Sequence, residues 1–235
     1  MAIAGYFAMT ASEYRCCPRP EGVAWMACHF SPYGTGLTNL PTELAAGALL
    51  MLNDRTPMQG HDPEQIIQQL TEALTRWDCA GLVLDFQQPG NPQAAQLAAL
   101  LAEQLPAPVG VSSLYAEDGK CPVFLPPVPL DTPLSAYLTP WQGREIWLDT
   151  ALDAQKLTLT PSGLTTTPAP ALPAGFSEET LHCHYAIRQE EEQVSFSLWR
   201  TADDLDALLK EADTLGVTRY LGLYQEFFPH AEGLL

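Results

Sequence analysis

Short apolar runs that end in polar residues recur along this chain, and several are separated by stretches with helical spacing. Ile3 to Met9, Val23 to Phe30 and Ala48 to Asn53 read as strands, the third approached through a short helix start at Pro41 to Leu44. Asp62 and Pro63 then supply an N-cap and a first-turn proline, and Ile66, Ile67, Leu70, Leu74 and Trp77 follow on one helical face. That helix leads into Leu82 to Phe86, an apolar run bounded by Gly81 and a turn at Gln87 to Gly90. Asn91 and Pro92 repeat the start signal. Leu97, Leu100, Leu101 and Leu105 mark the next buried stripe, and Val109 to Leu114 the next strand. Such alternation of strand and helix predicts a parallel sheet.

The second half reads differently. Five prolines between Cys121 and Thr139 exclude a long central helix there. Glu145 to Thr150 is a strand, and Lys156 to Thr167 alternates around Pro161, Ser162 and Gly163, which predicts a β-hairpin. His182 to Arg188 and Val194 to Trp199 are further strands around an acidic turn at Glu190 to Glu192. Thr201 caps a helix carrying Leu205, Leu208, Leu209, Ala212 and Leu215; Gly216 ends it, and Thr218 to Tyr224 is the closing strand. The nine residues after Glu226 are too few for a full final helix. No linker or repeat divides the chain, so the expectation is one domain over residues 1–235 with a β-rich insertion around 153–193.

Composition narrows the function. With 11 Lys and Arg against 28 Asp and Glu, the net charge is −17, a surface that repels nucleic-acid phosphates and anionic membranes. No apolar run approaches the roughly 18 residues of a membrane span. The N-terminus shows no basic leader pattern, and the six cysteines lack a CxxC pair or a regular framework, which predicts free thiols and a cytoplasmic protein. Neither nucleotide loop nor metal-ligand spacing is present. His182 and His184 flank Cys183 as a pair without a third ligand, and Cys16-Cys17 reads as plain exposed thiols. No cofactor is expected.

Alternation puts Val83, Asp85 and Gln87 on one side of the strand that ends before the 87–90 turn, where (β/α) barrels carry their active sites. The stretch from Gly81 to Gln87 resembles the fourth-strand signature of family 18 glycoside hydrolases, the chitinase-like barrels, which reads Asp-Gly-x-Asp-x-Asp-x-Glu. Gly81 and Asp85 match that pattern. Val83 stands in place of the middle aspartate, and Gln87 in place of the general-acid glutamate. Ala4 to Ala8 is similar to the family's opening Gly-Tyr-aromatic strand, Ile146 to Asp149 to its sixth strand, and Leu221 to Tyr224 to its eighth. Phe196 to Trp199 is similar to the segment before that last strand.

The resemblance implies an imperfect or truncated (β/α)8 TIM-like barrel with a β-hairpin added after Asp149. It also implies a carbohydrate, or a similar small polar ligand, held at the mouth by Tyr6, Asp54, Asp85, Gln87, Asp149 and Tyr224. An amide has no titratable proton near neutral pH, so Gln87 cannot serve as the general acid. A non-catalytic or catalytically reassigned relative is therefore the leading expectation. The alternatives are a glycoside hydrolase drawing a non-standard acid pair from Asp54, Asp85, Asp149 and Glu226, and a protein-interaction scaffold.

Overall fold

The computed structural model describes residues 3–16, 22–116, 120–190 and 192–227. Its strands are β1 (Ala4–Met9), β2 (Val23–Phe30), β3 (Leu37–Thr38), β4 (Leu49–Asn53), β5 (Gly81–Asp85), β6 (Val109–Ser112), β7 (Val123–Leu125), β8 (Ile146–Thr150), β9 (Ala154–Thr160), β10 (Gly163–Pro168), β11 (Phe176–Glu178), β12 (Cys183–Gln189), β13 (Val194–Trp199) and β14 (Val217–Leu223). Between them lie helices α1 (Ala11–Cys16), α2 (Pro63–Arg76), α3 (Pro92–Gln104), α4 (Leu134–Leu138), α5 (Ala202–Thr214) and α6 (Tyr224–Phe227). The chain divides into two compact units. One comprises Met1–Pro126, Gly143–Asp149 and Val217–Tyr224, and the other the remaining segments.

The first unit holds a closed barrel. Eight strands pair in parallel in the order β1, β14, β8, β7, β6, β5, β4, β2, and pairing between β2 and β1 completes the ring. The ninth strand, β3, lies outside it, antiparallel to β2. Alternate residues of these strands meet in one core, where Tyr6, Ala8, Leu49, Val83, Phe124 and Trp147 are all buried. The helices form as their caps predict. Asp62 accepts from the Glu64 amide, and Asn91 accepts from the Gln93 and Ala94 amides, each ahead of a proline that has no amide hydrogen to satisfy.

Trp147 dominates the lower interior and imposes glycine on its neighbours. A Cβ at Gly110 would sit 2.2 Å from the indole, and one at Gly81 would sit 3.0 Å from it. The indole nitrogen donates to Glu145 at 2.9 Å, and the Arg219 guanidinium lies 4.3 Å from the ring centroid. Arg219 in turn donates to the Ala80 carbonyl at 3.2 Å, which satisfies a cation inside the barrel.

In the second unit, β9 to β13 form a five-stranded antiparallel sheet in the order β10, β9, β13, β12, β11. The expected hairpin is its β9–β10 pair, and the sheet runs on to Trp199. Thr201 caps α5 through a capping box with Asp204, and Gly216 follows the helix at φ 86°.

Two expectations are corrected. Residues 41–44 form bends and coil, not a helix, because Gly47 (φ 79°) turns the chain into β4 before a helix can propagate. Ile146–Thr150 is the seventh ring strand, not the sixth; the sixth is Val123–Leu125. Phe196–Trp199, expected only as the segment before the last ring strand, lies in the antiparallel sheet and leads through α5 to β14.

Candidate active site at the barrel mouth

The fourth ring strand, β5, ends at Asp85, and its register aligns Met51 with Val83 and Asn53 with Asp85. Val83 lies fully buried in the barrel core, so Asp85, two residues on, faces the same interior at the C-terminal rim. Gln87 folds back over it. The Gln87 amide nitrogen donates to both Asp85 oxygens, at 3.0 and 3.2 Å. Burial pushes the Asp85 carboxyl above its ordinary value and Asp54 adds to the rise, while the Gln87 amide and the Arg55 charge oppose it. A carboxylate capped by an amide is thus a preformed polar surface without a ready acid beside it.

Asp54 has a different task. It is 3% exposed, and its two oxygens accept the backbone N–H groups of Gln87 and Gln88, both at 3.0 Å. The Gln88 side chain returns a bond to the Asp54 carbonyl at 2.9 Å. Asp54 therefore ties the loop after β4 to the loop after β5 and fixes where Gln87 sits. Tyr115 braces the same loop: its hydroxyl donates to the Gln88 carbonyl and accepts from the Asn91 amide at 3.3 Å.

The other predicted positions scatter. Tyr6 is 8% exposed, packed in the barrel core with Arg219 5.8 Å from its ring centroid, so it stands below the rim. Asp149 follows Trp147 by two residues on β8 and is half-buried. Leu223 shares the alternation of core Leu221 and ends the eighth strand, whereas half-buried Tyr224 opens α6. Glu226 belongs to the second unit, where its carboxylate accepts the Leu152 N–H at 3.0 Å; burial raises its pKa.

Two rim positions were not anticipated. Ser112 ends β6 two residues after Gly110 and is 9% exposed. His29 is in register with Asn53, and its Nδ1 lies 2.8 Å from the Ala27 carbonyl. A register shift between Trp25 and Cys28 brings it there. Plain alternation from Ala24 would turn His29 outward, and a bulge adds the one residue that reverses the face. The Ser112 signal was the strand itself, whose small terminal side chain carried no motif.

The histidines around Cys183 do not form a pair. The strand begins at Cys183, and His182 has φ 48°. Its Nε2 is 2.6 Å from Glu211, while His184 Nδ1 is 2.8 Å from Asp204. Each imidazole thus has its own carboxylate. Among the described residues no helix is long and apolar enough to cross a membrane.

No protein-family model matches the sequence, and no curated protein is significantly similar to it. Solved structures are similar in fold. The spore cortex-lytic enzyme SleL of Bacillus cereus superposes with a TM-score of 0.58 at 10% identity, over 94% of this chain and 70% of that one. The chitinase-like agglutinin of Robinia pseudoacacia gives 0.58 at 14% identity over 94% of both chains. A family 18 chitinase of Cycas revoluta gives 0.55 at 10% identity over 94% of both; it is a variant with one glycine replaced by tryptophan and one glutamate by glutamine, in complex with (GlcNAc)4. The closed ring of eight parallel strands and these superpositions give the chain the chitinase-like barrel fold of the family 18 glycoside hydrolases.

Proposed function

We propose that this protein binds a carbohydrate, of the N-acetylglucosamine oligomer class, at the barrel mouth without hydrolysing it. The observation that carries this reading is the Asp85–Gln87 pair. Where family chemistry needs a protonated carboxyl at the glycosidic oxygen, this chain holds an amide bonded to the neighbouring carboxylate. Asp85 retains a hydrogen-bond acceptor for a sugar hydroxyl or N–H, and Asn53 in the adjoining register adds an amide. Val83 is sealed in the core and supplies no second carboxylate to tune an acid. Two similar folds support sugar recognition of this kind: one belongs to an agglutinin, and the other, a double variant with a glycine-to-tryptophan and a glutamate-to-glutamine change, was captured holding (GlcNAc)4.

The test is paired. Incubation with (GlcNAc)4 should release no product, while the sugar at about 100-fold above its Kd should raise the melting temperature by about 5 °C or more. Asp85→Ala should remove that shift. Gln87→Glu should remain inactive, because the new carboxyl has Val83 beside it. Turnover by the unaltered chain, abolished by Asp85→Asn, would replace this reading with a hydrolase using a reassigned acid. Absence of both turnover and a thermal shift would overturn it outright.

A further inference from the structure

The antiparallel sheet of the second unit has two unlike faces. Cross-strand registers pair Thr158 with Thr165 and Ser195, and Ser197 with Lys156 and Ala186, which makes one face hydroxyl-rich, exposed at Thr165 and buried at Ser195. On the opposite face Leu159 pairs with Leu164 and Val194, Phe196 with Leu157 and Ile187, and Tyr185 with Phe176 and Leu198. This is the binary pattern of a sheet with one side meant to be covered. The cover within the unit is partial. Leu130 packs on Cys183 and Leu198 at one end. Beyond that contact, Leu159, Leu164, Phe176 and Ile187 remain 51, 63, 66 and 55% exposed.

We infer that this face is a self-association surface, on which the sheets of two copies stack to form a dimer. The first argument is electrostatic. Glu178 is the one charged residue on this face of the five strands, and it pairs with Cys183 at the covered end. In a chain of net charge −17, a second copy meets like-charge repulsion at its acidic surfaces, and the uncharged apolar face is where approach costs least. A basic partner would be drawn to the acidic surfaces instead.

The second argument is area. The four exposed side chains offer on the order of 400 Å² of apolar surface per copy. Standard interfaces bury about 800 Å² per partner. Half-buried Leu157, Val194, Phe196 and Tyr185 and a polar rim at Thr166 and Gln189 supply the difference. Apolar sheet faces stack about 10 Å apart, and a two-fold axis lets the same patch cover itself.

Light scattering and sedimentation on the full chain across a dilution series test this. The 25.6 kDa chain should show a mass twice its own at high concentration, falling towards the monomer on dilution. Leu164→Glu with Ile187→Glu places like charges across the two-fold and should weaken the dimer at least about tenfold. Thr165→Glu, on the hydroxyl face, should leave the mass unchanged. Circular dichroism checks folding. If the glutamates unfold the sheet, Leu164→Thr with Ile187→Thr keeps strand-favouring side chains and should still weaken association. A monomer at every concentration overturns the inference, as does a dimer that survives these substitutions in a folded chain.

Discussion

Below the level of Val83 the barrel interior is filled by Trp147, Tyr6 and Arg219, with Gly81 and Gly110 leaving room for the indole. Above it the same strands present Asn53, Asp85, Ser112 and Asp149. One end is a jigsaw in which each side chain dictates its neighbour. The other is a ring of polar groups whose positions are set from behind, by Asp54 and Tyr115 holding the loops. Packing at the floor builds the frame, and the mouth is free to vary in chemistry.

The largest test of that contrast is at the floor. Trp147→Ala should lower unfolding free energy by about 3–5 kcal/mol in denaturant titrations, since a large buried side chain is lost. Gly110→Ala should cost about 1–3 kcal/mol by overpacking against the indole. Combined with Trp147→Phe it should cost less than the sum, because the smaller ring makes room. Additive costs would mean that the two positions do not share one space.

Asp54→Ala should cost about 1.5–3 kcal/mol, the range for hydrogen bonds to a charged group, by leaving two loop amides without acceptors. Because those amides set the position of Gln87, sugar-induced stabilisation should fall with it. Unchanged sugar binding would show that the loop holds its shape alone.

The smallest effect is expected at Asp85. Its folded-state pKa is raised by burial, so the folded chain binds that proton more tightly than the unfolded chain. The group's favourable contribution is full below the unfolded value near 3.9 and is lost as pH rises through the folded value. Asp85→Asn should therefore flatten the stability profile in the window just above pH 4 and change stability little below it. A steeper profile in the variant would reverse the assignment. Asp204 runs the other way. Burial works to raise its pKa, but the Thr201 hydrogen bonds, joined by His184, outweigh it and hold the pKa down, so its contribution is present at neutral pH and lost as pH falls through the lowered value.

Where local chemistry decides the outcome, the chain was readable in advance. The fourth ring strand announced itself because a glycine and a turn frame four apolar residues and one carboxylate, and the Asp62, Asn91 and Thr201 caps because each sits where its side chain meets free amides. Val123–Leu125 was hidden: three residues between Pro122 and Pro126 show no period, and their strand exists through pairing with β6 and β8. His29 was concealed by the bulge in β2. Arg219 reads as an exposed charge, and only the ring of strands turns it under Trp147. At the mouth, Asp85 and Gln87 were found through a motif, whereas the loop-bracing task of Asp54 depends on contacts 33 and 34 residues away.

The indole at the floor also constrains how this chain can drift. A side chain cannot be gained at position 110 while Trp147 stays, one at 81 also meets the Pro108 carbonyl at 2.7 Å, and Trp147 cannot shrink without leaving a void beside Arg219. Homologous sequences should therefore change positions 110 and 147 together or keep both, with the larger side chain passing from one strand to another, while position 81 stays glycine. The rim answers to no such bargain, so its residues can be exchanged singly. A barrel built this way can lose a glutamate at its mouth and remain the same barrel.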